Sequence, residues 1–247
     1  MGRAAQMAFG ERVPEACAAA RIENTVARAA AGEPLQYILG YTEFCGHRIE
    51  VAPGVLIPRP ETEEMTMMII SENSGFTGTV TDICTGSGCM AIAMAMAFPH
   101  ATVAATELSG AALEMARQNI SSNGAAVTLI KSDILNDDPP ADTPEQYHRQ
   151  QSAIYHHARE AMMHRNVLDH EPHEALFVPD DNPLVYYRAI AAVVETRLLP
   201  GGTLWLEVNE NLAGETAALL SPKNYSEVRV IRDIRGKERF IKAEKYG

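Results

Sequence analysis

Carboxylates and glycines that could hold a small molecule are grouped around one short turn. Asp82 precedes the turn, Gly86 and Gly88 form it, and Glu107 ends the next apolar stretch. Glycine lacks the Cβ atom that keeps a ligand away from the main chain, and it adopts the positive φ of a sharp strand-to-helix turn. The carboxylates could accept hydrogen bonds from hydroxyl groups or face a cation. We therefore predict that a small molecule lies across this turn.

Two classes of ligand fit this turn. The run from Gly86 to Ala91 satisfies the loose pattern G-x-G-x-x-G/A, so the nicotinamide dinucleotide of an oxidoreductase is one candidate. Asp82 argues against it, because a carboxylate repels a pyrophosphate and attracts a sulfonium or ammonium group. Glu107 suits either ligand, since it could accept both ribose hydroxyls of an adenosine. The acid at position 82 therefore favours S-adenosylmethionine.

The predicted cofactor-binding residues follow the ends of successive strands. Asp133 comes after the third apolar run, and it could meet the adenine amino group or could only cap a turn. The complete predicted set is Asp82, Cys84, Thr85, Gly86, Ser87, Gly88, Glu107 and Asp133.

The elements that position these residues alternate between strand and helix. Strands are predicted from Val80, over 101–106 and over 127–130. Such alternation predicts an α/β fold with a doubly wound, mostly parallel, Rossmann-like sheet whose ligands bind beyond the carboxyl ends of the strands. The second half is predicted to contain a helix over 183–199, a strand over 203–208, a helix over 210–220 and an antiparallel hairpin of 228–231 with 239–242.

The chain before this alternation divides into two shorter parts. We predict a short helical N-terminal region over 1–34, a β-hairpin connector over 35–56 and the main α/β domain over 57–247. The main domain opens on the loop Pro58-Arg59-Pro60-Glu61, in which two prolines restrict φ and a helix begins at Glu61. Taken alone, this loop fits a linker as well as it fits a binding segment.

The composition limits the classes of protein. A chain of 247 residues, 46% of them hydrophobic, suits one α/β domain with a small appendage. Its formal charge of −11 argues against tight binding to a nucleic-acid backbone, so we expect no DNA partner. Because no apolar run approaches the roughly 20 residues that span a bilayer and no signal-peptide pattern is present, we expect a cytoplasmic protein without a membrane partner. We also expect a monomer.

Several stretches of the chain, the glycine turn among them, are typical of one family of proteins. They are residues 32–40, 56–63, 82–88, 166–168, 171–172 and 175–177. On these stretches the chain resembles the HemK/PrmC family. The resemblance implies a methyltransferase that uses S-adenosylmethionine to methylate the glutamine of the Gly-Gly-Gln motif in peptide chain release factors. It also implies that the loop Pro58 to Glu61 lies beside the cofactor and the target. The family has a glycine where this chain has Cys84, and commonly an aspartate where it has Glu107.

One motif of that family is absent. The family has Asn-Pro-Pro-Tyr after the fourth strand, where the asparagine side-chain oxygen and a proline carbonyl hold the glutamine nitrogen in line with the sulfonium methyl. The apolar fourth strand is also missing from the sequence, so we expect little or no methyl transfer and no intact catalytic residue. The expected position of the motif holds Gln151, Ser152, Ala153, Ile154 and Tyr155.

Back-translation suggests a reason for this gap. Read one base later, permitted codons give Ile-Ile-Val-Ser-Asn-Pro-Pro-Tyr-Ile across Tyr147 to His156, which is the missing strand and motif. We hypothesise a compensated frameshift that opens near Glu145 and closes before Met163.

Other interpretations stay open. An adenine amino-methyltransferase acting on nucleic acid would use the same cofactor fold and a similar acceptor motif. A protein that binds S-adenosylmethionine without turnover would keep the fold and lose the motif. A metal site is the third alternative, but the histidine spacings do not place three ligands on one helix face, and we expect no metal. The histidines concerned are His148, His156, His157 and His164.

Overall fold

The computed structural model describes residues 16–137, 150–154, 165–179 and 181–247. A two-stranded hairpin stands beside a seven-stranded sheet. The hairpin consists of β1 (Tyr41–Phe44) and β2 (His47–Glu50). The strands of the large sheet are β3 (Thr79–Ile83), β4 (Thr102–Glu107), β5 (Val127–Lys131), β6 (Gln150–Ile154), β7 (Thr203–Glu207), β8 (Tyr225–Arg232) and β9 (Glu238–Lys245).

The large sheet is parallel except at one edge. Its strand order is β5-β4-β3-β6-β7-β9-β8; β9 runs antiparallel to both β7 and β8, and the other neighbouring strands pair in parallel. The order reverses between β3 and β6, and sheets of this kind bind ligands at the carboxyl side of such a point. The predicted doubly wound, mostly parallel sheet with an antiparallel C-terminal hairpin is confirmed.

Helices cover the sheet, and local sequence marks several of their ends. Pro60 occupies the first position of α3, where its missing N–H has no helical partner to lose. Ser109 caps α5, its Oγ accepting the N–H of Ala112, and Gly124 ends that helix in the left-handed conformation. The helices are α1 (Ala16–Ala30), α2 (Leu35–Leu39), α3 (Pro60–Glu72), α4 (Cys89–Ala97), α5 (Gly110–Asn123), α6 (Arg165–His170), α7 (Val185–Arg197) and α8 (Ala213–Ala217).

Two hydrophobic clusters fill the two faces of the sheet. Trp205 belongs to one cluster, whereas its neighbours Leu204 and Leu206 belong to the other. Successive residues of a strand point to opposite faces, so β7 divides its side chains between both cores. Met90 on α4 lies in the first cluster and Tyr187 on α7 lies in the second, which places these helices on opposite faces.

A strand of polar sequence, β6, occupies the position of the apolar fourth strand that the sequence lacks. The backbone of β6 pairs with both β3 and β7, with Ile83 opposite Ala153 and Glu207 opposite Ile154. Ladder hydrogen bonds join main-chain groups, so a polar sequence can occupy a central strand even though apolar side chains are usual there. The lack of an apolar run therefore does not prevent backbone pairing at this position.

Asn119 fastens the small hairpin to the main sheet. Its Nδ2 donates to the backbone oxygens of Glu50 and Ser87, both at 3.0 Å, and its Oδ1 accepts the Glu50 N–H at 2.7 Å. This buried amide therefore joins β2, α5 and the glycine turn. The predicted hairpin is confirmed, while the domain limits at 34 and 56 stay a prediction.

The substitution Asn119→Ala is expected to lower the free energy of unfolding by about 2–3 kcal/mol, because it leaves polar groups of the hairpin and the turn without partners. Urea denaturation measures this change. Asn123→Ala is the matched control, since the exposed Asn123 Nδ2 donates to the Arg48 carbonyl of the same hairpin at 3.0 Å and to the Asn119 carbonyl within α5 at 2.9 Å, without reaching the glycine turn. Equal losses for the two variants would contradict this role of Asn119.

Candidate functional site

The glycine turn connects the end of β3 to the start of α4. The Thr85 N–H donates to the Thr106 carbonyl at 2.9 Å, and the Gly88 N–H donates to the Thr85 carbonyl at 3.0 Å. These bonds fix the turn against the neighbouring strand β4. Its backbone stands at the carboxyl edge of the sheet, as the sequence predicts.

The two glycines serve different purposes in this turn. Gly88 has a φ of +82°, and a Cβ on it would lie 3.3 Å from the Cβ of Ala116 on α5. Gly88 thus allows close packing of two helices. Gly86 has a φ of +58°, and a Cβ there would meet no protein atom within 4 Å. The main chain at Gly86 is therefore open to a ligand.

Cys84 adopts a backbone conformation that favours glycine. Its φ is +61°, in the left-handed region where a side chain costs about 1–2 kcal/mol. Burial, together with the charges of Glu107, Asp82 and Asp133, raises the pKa of the Cys84 thiol to about 12. The thiol is therefore neutral at physiological pH, and it is unsuited to act as a nucleophile.

Asp82 lies buried beneath the turn with one oxygen unsatisfied. Thr85 Oγ1 donates to Asp82 Oδ2 at 2.7 Å, whereas Asp82 Oδ1 has no hydrogen-bond partner among the described residues. Burial is the main cause that raises the Asp82 pKa to about 7. The Thr85 hydroxyl and the Ala91 backbone N–H lower this pKa, and the Glu107 charge raises it. A buried carboxylate oxygen without a partner suits a cationic or N–H-bearing ligand and repels a pyrophosphate.

Glu107 joins the turn to the start of the next helix. Its Oε2 accepts the Gly86 N–H at 2.8 Å, and its Oε1 accepts the N–H groups of Leu108 and Ser109, both at 2.9 Å. A carboxylate oxygen can accept two hydrogen bonds, so Oε2 retains one position for a ligand hydroxyl. Accepting two ribose hydroxyls would require the carboxylate to give up a backbone partner.

Asp133 caps its own turn after β5. Its Oδ1 accepts the Leu135 N–H at 2.9 Å, and its Oδ2 accepts the Asn136 side-chain N–H at 2.7 Å. These bonds match the turn-capping alternative. A contact of Asp133 with the adenine ring of a ligand stays a prediction.

The proline loop is held by a carboxylate that the sequence analysis did not single out. Arg59 Nη2 donates to Glu171 Oε1 at 2.8 Å, and the Ile57 N–H donates to Glu171 Oε2 at 3.1 Å. Glu171 is buried, and it is 112 residues from Arg59 in the chain. An acid directly before Pro172, within a family-like stretch, was the available signal.

A second buried carboxylate holds the helix that follows the loop. Thr62 Oγ1 donates to Glu207 Oε2 at 2.8 Å, and both residues are buried. Glu207 ends β7, so this bond ties the first turn of α3 to the carboxyl edge of the sheet. An acid that closes the apolar run of β7 was the signal in the sequence.

The expected acceptor position lies within β6. Gln151 pairs with Thr81, and Ser152 pairs with Asp82, so these residues occupy the strand next to the glycine turn. Ala153 and Ile154 complete the strand, whereas Tyr155 lies outside the described residues.

The histidine set proposed as a metal alternative, His148, His156, His157 and His164, also lies outside the described residues. Among the residues that are described, no three His, Cys, Asp or Glu side chains come together in a way that could hold a metal ion. None of the helices in the described ranges is long and apolar enough to cross a membrane.

Comparison with solved structures supports the fold. A methyltransferase from Pyrococcus furiosus superimposes with a TM-score of 0.57 at 20% identity, covering 94% of this chain and all of that chain. TrmN from Thermus thermophilus gives a TM-score of 0.54 at 19% identity, covering 73% of this chain and 48% of the other. At these identities the likeness concerns the fold alone.

Comparison of sequences is more specific. Residues 60–143 match the methyltransferase small domain family, and residues 1–40 match the PrmC N-terminal domain family. The release factor glutamine methyltransferase of Flavobacterium psychrophilum is 38% identical over 216 residues, which cover 85% of this chain and 75% of the relative. That of Bacteroides thetaiotaomicron is 41% identical over 230 residues, which cover 93% of this chain and 82% of the relative. The chain therefore belongs to the family of release factor glutamine methyltransferases, as its sequence motifs indicated.

Proposed function

We propose that the chain binds S-adenosylmethionine at the glycine turn and directs its methyl group to the side-chain amide nitrogen of the glutamine in a release factor's Gly-Gly-Gln motif. The observation that carries the proposal is Asp82, a buried carboxylate with an unpartnered oxygen at the foot of a turn that is open at Gly86. The family relatives, all named as release factor glutamine methyltransferases, support the choice of a protein substrate.

Different residues at the turn would contact different parts of the cofactor. S-adenosylmethionine, when bound, supplies a methyl group on a positively charged sulfur. Asp82 would attract the cationic part of the ligand, Glu107 would accept a ribose hydroxyl, and the open main chain at Gly86 would allow close approach. Cys84, Thr85, Ser87 and Gly88 would shape the rest of the turn, and Asp133 is proposed for the adenine amino group.

The difficult part of the methyl transfer is the reactivity of the acceptor, the glutamine side chain. A glutamine amide nitrogen is a poor nucleophile, because its lone pair is delocalised into the carbonyl. Acceptors for its hydrogens are needed to orient it and to favour positive charge on it. The loop Pro58 to Glu61 is proposed as one wall of this site, since Glu171 and Glu207 fix it at the same sheet edge.

A second candidate function is binding of S-adenosylmethionine without turnover. The polar sequence Gln150–Ile154 in β6 favours it, because the Asn-Pro-Pro-Tyr acceptor motif is expected at this position. The adenine amino-methyltransferase alternative is the weaker one, since the sequence relatives are named for glutamine and the formal charge is −11.

The substitution Asp82→Asn is expected to change how the stability of the fold depends on pH. The folded pKa of Asp82 lies above the ordinary aspartate value, so the protonated carboxyl stabilises the fold at about pH 4 and this stabilisation is lost as the pH rises through about 7. Asparagine does not titrate. Urea denaturation measures the free energy of unfolding of both chains. The value for Asp82→Asn, relative to that of the unsubstituted chain, should therefore rise by several kcal/mol, up to about 4, between those pH values.

The same Asp82→Asn variant should bind S-adenosylmethionine about tenfold or more weakly, because it lacks the charge that faces the cation. Asp169→Asn, at an exposed position on α6, is the control for both measurements. A variant as pH-sensitive as the unsubstituted chain, or one that binds the cofactor equally well, would contradict the assignment of Asp82.

Removal of the Glu107 carboxylate is predicted to weaken cofactor binding. Calorimetry should show that Glu107→Ala loses about tenfold or more in affinity, since one charged hydrogen bond to a hydroxyl and the anchor of the turn are lost. Glu114→Ala is the control, because Glu114 is exposed on α5 and pairs with Arg117 and Gln118 of the same helix. Unchanged affinity for Glu107→Ala would remove Glu107 from the site.

Methyl transfer tests the acceptor side. With a release factor and S-adenosylmethionine, the chain as written is predicted to transfer little or no methyl, whereas a chain read in the shifted frame across residues 146–162 transfers it. Both chains should bind the cofactor, which serves as the control. Equal methyl transfer by both chains would show that the missing motif is not needed. The frameshift hypothesis is tested by mass spectrometry. Detection of the peptide Gln146 to His157 in protein from an in-frame gene would contradict it.

A further inference from the structure

A surface groove runs between α3 and the turn that joins β8 to β9. Its volume is about 560 Å³, and Met67 on α3 and Ile234 in the turn lie among its lining residues. Ile234 is 89% exposed and Met67 is 58% exposed. Large apolar side chains exposed within one groove are typical of a surface that binds another protein.

The turn that carries Ile234 is rigidly built. Asp233 Oδ1 accepts the N–H groups of Arg235 and Lys237, both at 2.9 Å, and the Asp233 N–H donates to the Lys237 carbonyl at 2.8 Å. Ile234 is thus presented to solvent by a hydrogen-bonded frame. A preorganised apolar side chain loses little conformational entropy when a partner covers it.

The charge of the groove identifies the chemistry of its partner. Glu61, Glu63 and Glu64 line it from α3, and Arg235 lines it from the turn. Arg235 Nη1 lies 3.4 Å from Glu61 Oε1. Because this one arginine pairs with one of the three glutamates, the lining has an excess of carboxylates. A basic segment complements this surface, whereas a nucleic-acid phosphate backbone would be repelled.

The groove adjoins the proline loop. Its lining includes Pro60, the last proline of the loop held by Glu171. Thr62, two residues on, is bonded to Glu207 at the carboxyl end of β7. A chain that lies in the groove therefore contacts the loop that is proposed as one wall of the active site.

We propose that this groove docks the release factor, by accepting a basic segment that places an apolar side chain between Met67 and Ile234. The inference rests on the proposed function, since it names where the protein substrate of the same site binds. It assigns recognition to contacts outside the cofactor turn, so binding of the release factor and binding of S-adenosylmethionine are separable.

The test measures the affinity of a full-length release factor for the full chain in the presence of S-adenosylmethionine. Ile234→Asp is expected to weaken this affinity at least about tenfold, and Glu64→Lys to weaken it and reduce its salt dependence. Met96→Asp is the matched control, because Met96 is 46% exposed near the end of α4 that points away from the glycine turn. All variants should bind S-adenosylmethionine as the unsubstituted chain does, which shows that each one is folded.

The outcomes separate this inference from the function on which it rests. If the unsubstituted chain binds the release factor and Ile234→Asp binds it equally well, the groove is not the docking surface and the proposed function stands. If Met96→Asp weakens binding as much as Ile234→Asp does, the groove assignment is also overturned. If the unsubstituted chain binds no release factor, the proposed function fails and the docking inference fails with it.

Discussion

Burial of a carboxylate without a counter-charge is the physical constraint on which this structure depends. Asp82 sits beneath the glycine turn, with Thr85 satisfying one oxygen and no described residue satisfying the other. Such a group lowers the stability of the fold when it is ionised. A ligand with positive charge removes that penalty, so the energy lost in folding is recovered in binding. In the proposed site, the open main chain at Gly86 and the carboxylate of Glu107 would hold the ligand at this place.

Two more buried carboxylates, both with partners, hold the segment that follows the hairpin. Glu171 and Glu207 come from distant parts of the chain, and each is bonded to the segment that begins at the proline loop. Breaking either pair would leave a buried acid without its partner, which is strongly unfavourable. The loop is therefore fixed relative to the sheet edge. Because Pro60 lines the groove, this part of the groove wall is fixed as well.

The sequence predicts the parts of the structure that local rules decide. The glycine turn, the alternation around it and the hairpin of β1 and β2 follow from glycine positions and apolar periodicity, and all are observed. The helix predicted over 210–220 is shorter, since α8 spans only Ala213–Ala217. The strand β6 was missed because its ladder is imposed by β3 and β7 on either side. The partners of Arg59 and Thr62 were missed because only the folded chain brings them together.

The central claim is that the glycine turn of this chain holds a sulfonium cofactor and not a dinucleotide. Calorimetric titration of the unsubstituted chain with S-adenosylmethionine, and separately with a reduced nicotinamide dinucleotide, tests it most directly. The account predicts saturable binding of S-adenosylmethionine that weakens as the pH falls below about 7, where Asp82 becomes protonated, and no measurable binding of the dinucleotide. Tighter binding of the dinucleotide, or no binding of S-adenosylmethionine, would contradict it.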